Sequence, residues 1–162
     1  MSDLCILATG GTIDKIHNPI TETLMFDDRS HIEDMLSIFR VPNVAYDVLM
    51  LKDSLDLTDS DREIMVAAIK KRDEERIIIT HGTSTMTNSA EFIADHINNK
   101  TVVLTGALRP FSLFKSDCGF NLGCAMAAVQ TLPHGAYITM NGQIFEAGKV
   151  QKNKSTGEFY QI

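Results

Sequence analysis

Basic charge, paired cysteines, long apolar runs and linker-like segments are all scarce in this sequence, and each absence removes a class of protein. Lys and Arg number 15 against 21 Asp and Glu, giving a net charge of −6 and a pI near 5.3. A nucleic-acid binder needs a basic face, so none is expected here. The three cysteines, Cys5, Cys118 and Cys124, are odd in number and irregularly spaced. They form neither a disulfide framework nor a zinc-ligand pattern, and no metal site is expected. Cys5 lies in an apolar run and reads as a buried small hydrophobe. The apolar stretch Leu4–Ala8 follows no basic segment and falls far short of the about 20 residues of a membrane span. Neither a signal peptide nor a membrane contact is expected, and the expected location is cytoplasmic. No repeat, low-complexity tract or Pro/Gly/Ser-rich linker divides the chain.

What remains is an ordinary globular composition, 44% apolar and 22% charged over 162 residues. That length suits a single domain over residues 1–162 with one substantial core. Short runs rich in Ile, Val and Leu alternate with helical patterns. The strand-like runs are Leu4–Ala8, Val44–Leu51, Arg76–Thr80, Thr101–Thr105 and Gly135–Met140. Between them, Ser30–Phe39, Ser60–Arg72, Thr85–Ile97 and Cys118–Leu132 repeat apolar residues at three- and four-residue steps. In the second helix the apolar stripe reads Ile64, Met65, Ala68 and Ile69, and Thr58-x-x-Asp61 supplies a start signal. Strands of nearly continuous apolar character imply a sheet covered on both faces. Asn141-Gly142 marks a hairpin turn between Ile138–Met140 and Gln143–Glu146. The expected class is α/β: a three-layer, open, mostly parallel sheet with helices on both faces and a C-terminal β-hairpin. Ile13 to Asp28 carries no clear period and reads as a long irregular loop of the kind that forms lids.

Ligands of open α/β sheets bind beyond the carboxyl ends of the strands. The segments leaving those ends are Thr9-Gly10-Gly11-Thr12-Ile13, Asp53-Ser54-Leu55-Asp56, His81-Gly82-Thr83-Ser84-Thr85 and Gly106-Ala107-Leu108-Arg109-Pro110, with Gln151-Lys152-Asn153 returning to the same edge. Two readings stand. The glycines after the first strand would cradle a phosphate at a helix N-terminus, but neither G-x-G-x-x-G nor G-x-x-x-x-G-K-[ST] is present. Alternatively, Thr12 and Thr83 at neighbouring strand ends, with a lysine of depressed pKa at Lys152, would make a nucleophile, a proton relay and a base. The glycines would then leave N–H groups free for an oxyanion.

Taken together, Thr9-Gly10-Gly11-Thr12-Ile13 and His81-Gly82-Thr83-x-Thr85-Met86 resemble the two signatures of the bacterial-type L-asparaginase/glutaminase family. Asp53-Ser54, Gly106 to Pro110, Asp117 with Phe120-Asn121-Leu122, and Met140-Asn141 follow in family order, so the resemblance spans essentially the whole chain. It implies Thr12 as nucleophile, Thr83 working with Lys152, and Ser54 binding the substrate's α-carboxylate. Gly11, Ser84 and Ala107 complete the implied substrate-binding set. The implied reaction cleaves a side-chain amide through an acyl-enzyme, with no metal or organic cofactor. The implied partners are a small amide substrate and further copies of the same chain, in a homodimer or higher homo-oligomer.

The sequence departs from that family in ways that matter. The second signature normally reads Thr-Asp-Thr, whereas Ser84 stands in the middle here. The family's Asp binds the substrate's α-ammonium, and losing one such charge-assisted bond costs about 1.5–3 kcal/mol. Weak activity on free amino-acid amides, or a substrate without a free α-amine, is therefore implied. The Tyr that family members carry in the mobile first loop is missing from Thr21–Phe26. Family members also usually run to double this length, with a C-terminal domain that completes a partner's site. These departures keep a rival in view, a catalytically lapsed domain that binds an amino acid or a protein partner; a nucleotide-binding module is the third reading.

Several residues have plainer readings. His81 is expected to be a strand-end residue held by hydrogen bonds, and His17 and His31 solvated. His96 and His134 show no ligand spacing. Arg109-Pro110 reads as a turn, and Asp117 and Asn121 as residues ordering the loop into the fourth helix. Lys70 to Arg76 reads as an exposed helix end, Lys149 and Lys154 as a solvated stretch around Lys152, and the methionines as core filling.

Overall fold

The computed structural model describes residues 3–162. Met1 and Ser2, which begin the expected domain and the expected leaderless N-terminus, lie outside the described residues. Six strands form one sheet: β1 (Leu4–Gly10), β4 (Ala45–Lys52), β5 (Arg76–Thr80), β6 (Thr101–Thr105), β7 (Gly135–Met140) and β8 (Gln143–Glu146). Their order is β4-β1-β5-β6-β7-β8; all neighbours run parallel except β7 and β8. The helices are α1 (Ile32–Ile38), α2 (Asp59–Lys71), α3 (Met86–His96) and α4 (Cys118–Thr131).

Two apolar clusters show why the sheet needs a layer on each side. Alternate strand residues point to opposite faces. Cys5, Leu7, Ile77, Ile79, Val102 and Leu104 pack with Val66 and Ile69 of α2 and with Met86, Ala90 and Ile93 of α3. Leu4, Ile6, Ile78 and Val103 pack with Ile32 and Met35 of α1 and with Leu122, Ala125 and Val129 of α4. Every residue of β1 is buried, as its unbroken apolar run requires. Each fully buried Ile or Leu contributes roughly 1.5–3 kcal/mol of transfer free energy. The Asn141-Gly142 turn has φ of 54° and 78°, the pair of positive values that a two-residue hairpin uses. The start of α2 is a capping box: Thr58 Oγ1 accepts from Asp61 N–H, and the Asp61 carboxylate accepts from Thr58 N–H.

The structure corrects four of the expectations. The stretch from Ile13 to Asp28 is not irregular. A 3-10 turn at Thr12–Asp14 leads into an antiparallel pair, β2 (Lys15–Asn18) and β3 (Thr23–Phe26). Asn18 makes the turn between them by accepting from the N–H groups of Ile20 and Thr21 through its side-chain oxygen. The apolar β4 is not covered on both faces: it is an edge strand, with Tyr46 and Val48 exposed. On α2 the buried stripe is Met65, Val66 and Ile69, and Ile64 points outward. His31 is buried against Phe111 at a ring separation of 5.9 Å rather than solvated.

Candidate active site

The strand order reverses direction between β1 and β5, and the crevice beyond their carboxyl ends is the switch point at which such sheets bind ligands. Backbone approach there is unusually close. A Cβ on Gly11, whose φ is +79°, would lie 2.3 Å from the Gly82 nitrogen; one on Gly82 would lie 2.5 Å from Ser54 Oγ. The ends of β1, β4 and β5 are thus pressed into one cluster, with Thr12 and Thr83 the next residues along two touching segments.

Ser54 holds that cluster from below. It is buried, its Oγ accepts from Ser84 N–H at 3.2 Å, and its carbonyl accepts from Thr85 Oγ1 at 2.7 Å. Asp53 caps the 3-10 turn Ser54–Asp56 by accepting from Leu55 N–H, and its carboxylate pairs with Lys15 at 2.5 Å. That pair ties β2 to the β4 end and holds the Asp53 carboxyl below the usual carboxylate range.

Thr83 is buried, and its Oγ1 accepts a bond from Lys152 Nζ at 2.7 Å across 69 positions of sequence. Lys152 ends β9 (Val150–Lys152), which pairs with β10 (Phe159–Gln161). Partial burial lowers its pKa from the ordinary value, favouring the neutral amine. Beside it opens a cavity of about 620 Å3, whose lining includes Leu55, Ser84, Thr85, Asn88, Lys152 and Lys154.

A buried chain positions the loop from behind. His81 Nδ1 lies 2.7 Å from the Gly82 carbonyl, which can only accept, so this nitrogen carries the proton. Nε2 then accepts from Ser89 Oγ at 2.8 Å, and Ser89 Oγ accepts from Arg62 Nε at 3.1 Å. Burial, together with the Arg62 charge, pushes the His81 pKa down to about 4. The imidazole is neutral, a structural clamp and not a base. Sequence reasoning anticipated hydrogen bonds at His81 but missed Ser89 and Arg62. Arg62 is a charged residue on the buried side of a helix, which charge patterning alone assigns to solvent.

Of the expected site residues, the structure brings together Gly11, Ser54, Thr83, Ser84 and Lys152, with Thr12 adjoining Gly11. One expectation is corrected. The Gly11 N–H is not free for an oxyanion, because it donates to the Lys52 carbonyl at 2.9 Å. Ala107 is 1% exposed and packs in the α1/α4 core, which leaves its backbone as the part that could face a ligand. The loop is drawn inward by Asn121, which donates to the Gly106 carbonyl, and by Asp117, which accepts from Leu108 and Arg109 N–H. Among the described residues no group of His, Cys, Asp and Glu could hold a metal ion, and no helix is long and apolar enough to cross a membrane.

A doubly wound α/β domain with a hydroxyl–lysine pair at its switch point is the class these observations define. The family model described as "Asparaginase, N-terminal" matches residues 3–158, and the chain belongs to that family. It is 26% identical to L-asparaginase 2 of Escherichia coli over 169 residues, covering 96% of this chain and 48% of that protein. It is 27% identical to the glutaminase-asparaginase of Acinetobacter glutaminasificans over 168 residues, covering 93% of this chain and 50% of that one. Its fold superposes on the thermostable L-asparaginase from Thermococcus kodakarensis with a TM-score of 0.85 at 24% identity, over 98% of this chain and 51% of the other. The chain spans about half the length of the relatives it matches.

Proposed function

We infer that the chain hydrolyses a linear carboxamide through a threonine acyl-enzyme. Thr12 Oγ1 attacks the amide carbon, and Ser54 anchors a carboxylate of the substrate. The Thr83–Lys152 pair takes up the proton and returns it to the leaving nitrogen, which departs as ammonia. Water then attacks the ester by the reverse proton path and frees the acid. No step calls for a metal or cofactor. The observation that carries this reading is the 2.7 Å bond from Lys152 Nζ to Thr83 Oγ1, with burial favouring the neutral amine. The names of relatives, an L-asparaginase and a glutaminase-asparaginase, point to the same amide chemistry. The test is ammonia release from asparagine, glutamine and N-acylated amides, expected for the wild type and lost in Thr12→Ala. Equal inertness of both proteins on all of them would sink the reading.

One observation favours a second reading, that of a ligand-binding domain without turnover. The Ser54 oxygen accepts from the Ser84 N–H and keeps its own O–H to donate to a ligand carboxylate, while Ser84 supplies no charge to assist turnover. On that reading aspartate or asparagine raises the unfolding temperature while no ammonia forms.

A further inference from the structure

Among the residues lining the cavity beside Thr83 are the cation Lys154 and the Lys152 amine, the proposed base, and no carboxylate. Three acidic groups that border this end of the sheet are already engaged. Asp53 is held by Lys15 and by Leu55 N–H. Asp61 is held by Lys52 and by the Thr58 cap, and Asp117 by two backbone N–H groups and Asn121. An ammonium entering this cavity would therefore lose its water, meet the like charge of Lys154 and find no counter-charge on the wall. A carboxylate would meet the opposite situation.

We propose that the ligand is an N-acylated asparagine, free or at the C-terminus of a peptide, in which the α-nitrogen is a neutral amide and the α-carboxylate is retained. The position of Ser84 fits this. Its side chain is exposed at the cavity wall, and a hydroxyl can bond a neutral amide N–H or C=O without needing a charge. Size fits as well: about 620 Å3 lies within the range of sites that enclose molecules larger than a single amino acid. At the rim Leu55, 73% exposed, offers an apolar surface for the acyl group. The inference deepens the hydrolase reading and rests on it for turnover, but the recognition it describes is measurable without turnover.

The test pairs molecules that differ at the α-nitrogen. Binding is read by calorimetry with N-acetyl-L-aspartate against L-aspartate, and turnover as ammonia from N-acetyl-L-asparagine against L-asparagine. The wild type is expected to favour the acylated member of each pair by about ten- to a hundredfold, the range of one charge-assisted bond. Ser84→Asp, a change at an exposed position, is expected to reverse the order by restoring a carboxylate. Wild-type preference for free aspartate or asparagine, or equal affinity for the two, overturns the proposal even if ammonia release proves the hydrolase reading right. Preference for N-acetyl-L-aspartate with no turnover of any amide sustains the ligand class and overturns hydrolysis instead. No binding and no turnover overturns both.

Discussion

Acidification should weaken this fold through His81 before it touches any carboxylate pair. The imidazole is fully enclosed, with Nε2 accepting from Ser89, whose Oγ is itself bound by the Arg62 guanidinium. A protonated ring would turn that acceptor into a donor facing a hydroxyl already fixed by a cation. The folded-state pKa accordingly falls from 6.5 to about 4. The unfolded chain binds the proton first, so the folded state loses stability as pH falls below 6.5, and the loss levels off below about 4. The drop should come to about 3 kcal/mol, most of it already present at pH 4.5. Reversible urea titrations at pH 7.5 and 4.5, followed by far-UV circular dichroism, measure it on either side of the pI near 5.3. His81→Gln should be less stable at pH 7.5, because the amide cannot serve Gly82 and Ser89 at once. Its stability should change far less between the two pH values. A wild type equally stable at both, or a variant with the same drop, would refute the buried neutral clamp.

The close approach at the switch point makes Gly11→Ala costly. The new Cβ meets the Gly82 backbone at 2.3 Å in a left-handed conformation, so at least about 2 kcal/mol of stability should be lost, along with amide hydrolysis. A urea midpoint and an ammonia-release rate indistinguishable from wild type would contradict the packing of these loops. A homodimer or higher homo-oligomer, as the family resemblance implies, is expected by light scattering. A monomeric mass at high protein concentration would remove that expectation.

The buried layers were legible in the chain because burial and sequence obey the same period. Ile77, Ile78 and Ile79 face opposite cores in turn, as a strand covered on both faces allows. The Thr58 box and the Asn141-Gly142 turn were equally readable, since each is specified by its own residues over a few positions. β4 carries a similar apolar run yet sits at the edge, because strand order depends on the whole assembly and leaves no local mark. The β2–β3 pair escaped notice for a different reason. None of its strand residues is fully buried, and Leu24 and Met25 are exposed, so no period records it; the hairpin depends on the Asn18 side chain and the Lys15–Asp53 tie.

The site divides along the same line. Thr12, Thr83 and Lys152 were recognisable as chemistry-bearing residues at strand ends, but chain distance hides their pairing: 69 positions separate the lysine from the threonine it bonds. Strand-end placement offered the trio as one of two readings, the resemblance favoured it, and the bond from Lys152 Nζ to Thr83 Oγ1 brings two of its members together. What neither spacing nor resemblance disclosed is the layer behind the loop, where Ser89 and Arg62 hold His81. Ser89 and Arg62 lie 27 positions apart on different helices, and helix periodicity carries no sign of the hydrogen bond between them. That layer governs the site all the same. It fixes the Gly82 carbonyl and so the plane of the peptide leading into Thr83, which places the hydroxyl that Lys152 must reach. On the proposed mechanism, the neutral histidine beneath the loop holds in place the threonine that Lys152 bonds.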